Sequence, residues 1–197
     1  MNRNRLLTVL LVPVAAASLS GCGINAIPTA EENVKARWAD VQTDYQRRAN
    51  LIPNLVATAK GAAASEQAIL TGVTEARSNA TRITVTGDQL SDPQAMARFA
   101  DAQNRVTLSL QRLQEAYPQL KSQANFQTLM SELEGTENRI AIAIRDYNSA
   151  VQDYNTRIRT FPDVIGAKVF YGAKPMVPYQ AAAGAEVAPT VDFGNSR

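Results

Sequence analysis

Histidine is absent from all 197 residues, and cysteine occurs once, at position 22. Without histidine there is no Ser-His-Asp or Cys-His nucleophile, and a di-metal centre in a helical bundle lacks its usual Glu-x-x-His pair. A single thiol closes no internal disulfide and builds no zinc or iron–sulfur site. Charge of one sign is missing too. The chain carries 20 basic and 18 acidic residues, and Arg3 and Arg5 account for the excess. From Cys22 onward the balance is even, with no electrostatic footprint for nucleic acid. Thr86-Gly87-Asp88-Gln89-Leu90 lacks the lysine and repeated glycines of a phosphate loop. No cofactor and no metal are expected, and the inventory argues against an enzyme.

What is present begins at the N-terminus. Arg3 and Arg5 precede the uncharged run LLTVLLVPVAAASL, the layout of a secretory signal peptide, too short for a comfortable membrane span. Leu19-Ser20-Gly21-Cys22 resembles the bacterial lipobox, in which the cysteine sulfur is acylated and a peptidase cuts just before it. That resemblance implies a signal peptide over residues 1–21 and a lipidated tether over 22–28, with the lipid bilayer as partner. Two or three acyl chains make such an anchor effectively permanent, whereas one does not. Gly23, rather than aspartate, follows the cysteine, which implies the periplasmic side of an outer membrane if the cell has two membranes. The alternative is an ordinary signal peptide or short anchor with a passive Cys22.

Glycine and proline are scarce between residues 30 and 160, and the composition there is that of helices. Thr29-Ala30-Glu31-Glu32 fits a capping box. A seam with alternating steps of three and four follows: Val34, Trp38, Val41, Tyr45, Arg48, Ile52, Leu55, Ala59, Ala62, Glu66, Ile69, Val73, Ala76. It predicts one helix from Thr29 to about Ala80, roughly 75 Å long. Asp92-Pro93 reads as an N-cap followed by proline in the first turn. The second seam is Met96, Phe99, Gln103, Val106, Leu110, Leu113, Tyr117, ended by Pro118. The third runs from about Ser122 to Thr160 through Phe126, Leu129, Leu133, Ile140, Ile144, Tyr147, Val151, Tyr154 and Ile158. Such stripes must bury one another, so the fold class is all-α: an elongated antiparallel bundle of three long helices, of the up-and-down four-helix type if DVIGAKVFYG adds a short C-terminal helix. The bundle spans residues 29–172, and residues 173–197 read as a flexible tail.

Some stretches go beyond a generic bundle. RRANLIPNLV places Pro53 and Asn54 inside the first helix, where Pro53 removes the bond to the Ala49 carbonyl at a cost of about 3 kcal/mol. A bend is favoured over a hinge. With YPQLKSQANFQTL, TENRI and the doubled Tyr-Asn of YNSAVQDYN, these motifs resemble the LemA family over about residues 34–172. KGAAASE departs from the family, having Ala62 and Ser65 where an aromatic and a histidine are usual. The resemblance implies a long helical bundle held at a membrane by its N-terminus, without catalytic residues to assign. It also implies a membrane metallopeptidase or a TPM-domain protein as candidate partner.

The remaining question concerns polar residues on buried stripes: Arg48 and Glu66 in the first helix, with Glu137, Asn148 and Asn155 in the third. About 27 Å of helix separates Arg48 from Glu66, so they form no single site. Each needs its own partner from another helix. The preferred reading is a hydrogen-bonded layer that fixes register, with Tyr147 and Tyr154 packing one way while each adjacent Asn reaches a neighbouring helix. The functional expectation is a membrane-tethered, non-enzymatic scaffold or adaptor in the cell envelope. Alternatives are an enzyme or small-ligand binder with a polar interhelical pocket, and a self-associating structural lipoprotein.

Overall fold

The computed structural model describes residues 25–62, 67–118, 120 and 123–180, with residues 61 and 62 as backbone only. Helix α1 runs from Ala26 to Ala62, three residues ahead of the expected start. Pro28 is tolerated in the first turn because the first four N–H groups of a helix have no internal partner. Thr29 therefore lies inside the helix, and its hydroxyl donates to the Asn25 carbonyl at 2.8 Å. The expected capping box does not form. Glu31 and Glu32 instead hold Lys35 at 2.9 and 2.8 Å.

The long first helix expected to reach Ala80 is two helices. Helix α2, Gln67–Arg82, packs back along α1: Arg77 donates to the Ala49 carbonyl at 2.6 Å, while Trp38 Nε1 and Gln42 Nε2 reach the Val85 carbonyl at 2.8 and 3.1 Å. As one number rises the other falls, so the two run antiparallel. The physical reason lies in the side chains. Gly61 and Ala62 to Ala64 bring little surface to bury, whereas folding back encloses Leu70, Val73 and Ala80, which a continued helix would leave in water. At 37 residues, α1 spans about 55 Å rather than about 75 Å.

After a 3-10 turn at Gly87–Ser91, helix α3 covers Pro93–Ala116. Its start is as expected: the Asp92 carboxylate accepts from the Gln94 N–H at 2.8 Å. It ends before Tyr117-Pro118, as the proline requires. Helix α4 covers Ala124–Arg157. Trp38 meets Phe99 and Tyr147, and Arg48 meets Thr107 and Glu137, so α3 runs parallel to α1 and α4 antiparallel to it. The result is an up-down-up-down all-α bundle, and no strand occurs among the described residues. No helix there is long and apolar enough to cross a membrane. A short helix α5, Asp163–Gly166, and a π-helical turn, Ala167–Tyr171, close one end.

Gly172 then turns the backbone through φ +55°, a conformation that costs glycine nothing. The chain continues as an extended strap over residues 173–180, with Met176 and Tyr179 buried. The expectation of a mobile tail from residue 173 is therefore corrected for this stretch. Residues 181–197 lie outside the described part.

Pro53 has a structural answer. It has no N–H to offer Ala49, and the Arg77 Nε–H of α2 fills that place. The proline opens an acceptor on α1, and the arginine uses it to tie α2 down. Arg77→Ala is expected to lower stability by about 1–3 kcal/mol, the cost of a buried carbonyl without a donor. In a Pro53→Ala background the restored N–H should remove most of that loss. Urea unfolding of the four proteins of this cycle measures the coupling, and additive effects would contradict the tie.

Candidate functional site

Among the described residues, the buried apolar side chains form two clusters. One is aromatic, built on Trp38, Tyr45, Phe99, Tyr147, Tyr154 and Tyr179. The other is largely aliphatic, built on Ile52, Leu55, Leu70, Leu110, Leu113 and Phe126. Between them lies Arg48, 2% exposed. Its Nη1 donates to Glu137 Oε1 at 2.9 Å and to Thr107 Oγ1 at 3.1 Å. Its Nη2 donates to the Gln103 carbonyl at 3.1 Å and to Gln103 Oε1 at 2.7 Å. The guanidinium carbon also sits 4.9 Å from the centre of the Tyr45 ring, a cation–π distance. One side chain of α1 thus joins α3 and α4 in a single layer.

Arg48 and Glu137 were each legible as seam polars, and the structure brings them together. Their environments differ, since the Glu137 side chain is 44% exposed against 3% for Arg48. An open groove of about 250 Å³ lies beside the pair, lined by Asn104, Ala141, Ile144 and Tyr179 among others. Its chemistry is largely committed already, because the guanidinium faces four protein acceptors and one Glu137 oxygen accepts from it. Among the described residues no buried side-chain nitrogen or oxygen lacks a partner.

The two Tyr-Asn pairs of α4 do something other than reach a neighbouring helix. Asn148 donates to the Tyr179 carbonyl at 3.0 Å and accepts from the Tyr179 N–H at 2.8 Å. Asn155 does the same to Met176, at 2.8 and 2.9 Å. Each carboxamide stands in for the edge of a neighbouring strand. The spacing fits: seven helical residues advance about 10.5 Å, and three extended residues about 10 Å. Between them Tyr147 donates to the Val177 carbonyl at 2.8 Å, while the Val177 N–H reaches the Leu90 carbonyl at 2.8 Å. The backbone of the strap is thereby held from both sides. Its end enters the aromatic cluster, where the Tyr179 and Tyr45 hydroxyls meet at 2.8 Å.

Burial raises the pKa of Tyr45, and the neighbouring Tyr179 adds to it. Burial likewise raises those of Tyr147 and Tyr179. The fold disfavours the phenolate, so these groups contribute stability that is complete below the ordinary tyrosine value near 10 and declines as pH rises past it toward the raised folded values. Alkaline titration should therefore show tyrosinate absorbance appearing together with loss of amide protection at residues 176–179. Tyrosinate absorbance from all six tyrosines near their ordinary pKa, with the strap still protected, would contradict the buried pair.

Asn54 lies on the exposed side of α1, where its carbonyl accepts from the Thr58 hydroxyl at 2.9 Å. Cys22 and Glu66 lie outside the described residues. Arg77 is not predicted by any local pattern as the partner of the Ala49 carbonyl, although the missing proline N–H is the available signal. Gln103 was legible as a seam residue but not as a ligand of Arg48. Thr107 carried no signal.

The family model described as the LemA family matches residues 37–193. Two relatives, magnetosome proteins MamQ 1 and MamQ 2 of Paramagnetospirillum magneticum, are each 26% identical over 161 residues, covering 70% of this chain and 58% of their own length. The chain thus spans little more than half the length of these curated relatives.

Proposed function

This chain belongs to the LemA family, and from that premise we propose that it is a membrane-tethered envelope lipoprotein acting as a non-enzymatic scaffold or adaptor. The observation that carries the reading is where the polar side chains go. Arg48 is engaged by Gln103, Thr107 and Glu137, and Asn148 and Asn155 are engaged by the strap. They hold the fold together, which leaves the outer helix faces to bind a partner. Leu19-Ser20-Gly21-Cys22 supports acylation at Cys22 and a place on the periplasmic side of an outer membrane where the cell has two. A membrane metallopeptidase or TPM-domain protein is the candidate client.

In-cell crosslinking of the wild type against Cys22→Ser, with captured species identified by mass spectrometry, tests this. A membrane protein captured only with Cys22 intact supports the adaptor. Capture of the chain by itself alone, in both versions, points to a self-associating structural lipoprotein instead. The groove beside Glu137 favours one second reading, a small-ligand or enzymatic pocket. That reading requires Glu137→Gln to abolish a measurable binding or turnover while leaving the fold unchanged.

A further inference from the structure

The end of the bundle formed by α5 and the π-helical turn is unusually apolar on its outside. Phe161 is 80% exposed, Val169 68%, Phe170 66%, Ile165 54% and Tyr171 42%. Ile165 and Val169 are four residues apart and share one helical face, while Gly166 and Ala167 form the buried opposite face. Single exposed apolar residues are ordinary, whereas five large ones within eleven residues at one end of the bundle call for a partner. The same segment is basic. Arg159, Lys168 and Lys174 are exposed, and its one acid, Asp163, is within 3.5 Å of Arg157.

The place of this patch in the fold identifies the occupant. A methyl group at Gly166 would lie 3.7 Å from Ile27 Cδ1, and Ile27 and Ala167 share one core. The patch is therefore at the end where α1 begins. Ile27 is only five residues past Cys22, a reach of at most about 18 Å.

We propose that the Phe161–Tyr171 end of the bundle is a membrane-contact face, seated in the headgroup region of an anionic bilayer beside the lipid anchor. The inference rests on the tethered reading of Cys22. Aromatic and aliphatic side chains enter the interface while the cations meet anionic headgroups. Two contacts at one end then set the bundle upright and direct the far end of α1 away from the membrane.

The test uses the full chain, isolated with its native processing and reconstituted into vesicles of phosphatidylethanolamine and phosphatidylglycerol containing a photoreactive phospholipid. Labelled peptides are mapped by mass spectrometry. Labelling should concentrate at residues 161–171 and just before Ala26. In the triple variant Phe161→Ser, Val169→Ser, Phe170→Ser, the 161–171 labelling should fall about tenfold or more, with anchor labelling and circular dichroism unchanged. The substituted side chains are exposed, so the fold should survive. Labelling confined to the segment before Ala26 would overturn the face and leave the tether standing. Labelling spread evenly over the bundle would also overturn it. No labelling anywhere would defeat the tether and the face together.

Discussion

Arg48→Ala lowers the stability of the bundle by about 3 kcal/mol, and the melting temperature falls by roughly 6–12 °C. The loss has identifiable sources. Gln103 is 7% exposed, and both its carbonyl and its side-chain oxygen accept from Arg48, so the variant leaves two buried acceptors without that donor. The arginine stem and its contact with Tyr45 are lost as well, leaving a cavity between the two cores. Arg48→Met keeps most of the volume and should recover only part of the loss. Glu137→Gln should cost less than about 1 kcal/mol, because the position is half exposed and the glutamine amide oxygen can still accept from the Arg48 guanidinium. The asymmetry is the diagnostic feature of a layer centred on the arginine. Equal losses for Arg48→Ala and Glu137→Gln in urea unfolding would contradict it.

Replacing Asn148 and Asn155 together with alanine should release the strap. Four hydrogen bonds to the strap backbone disappear, worth about 1 kcal/mol each at most once water competes. The strap is extended and lies at the edge of the fold, so the effect should appear as local opening rather than global unfolding. Amide exchange at Met176 and Tyr179 should accelerate roughly 100-fold or more, corresponding to about 3 kcal/mol. Asn155→Asp separates the two bonds of one clasp, since a carboxylate accepts from the Met176 N–H but cannot donate to its carbonyl. Unchanged protection in the double variant would show that burial of Met176 and Tyr179 alone holds the strap.

Local signals in this chain were readable, and signals made by distant backbone were not. The seams of α3 and α4 fall on the buried face, from Met96, Phe99 and Gln103 to Tyr147, Val151 and Tyr154. Asp92-Pro93 and Tyr117-Pro118 mark real boundaries because the constraint lies in the residues themselves. The reversal between α1 and α2 escaped because apolar residues keep recurring every three or four positions on both sides of it, although Leu70 and Ala80 are buried with Val73 while the expected Ile69 and Ala76 are only half-buried. Periodicity reports which face is buried, not whether the helix is continuous. The strap escaped for a different reason. Asn148 and Asn155 read main-chain groups, so the sequence of residues 176–179 needs no pattern to be recognised. Their seven-residue spacing was the only trace, and it matched a helix neighbour equally well until the extended chain was in view. The Thr29 box failed because Pro28, often read as a stop, is equally at home in a first turn.

The proposed adaptor role requires the bundle to be held at a membrane through Cys22, and so does the membrane-contact face. Intact-mass and peptide mass spectrometry of the chain purified from its own host's membranes tests that directly. The expected result is a mature protein whose first residue is Cys22, with its sulfur bearing a diacylglycerol. A chain that retains residues 1–21, or one cut elsewhere with an unmodified Cys22 thiol, would contradict it.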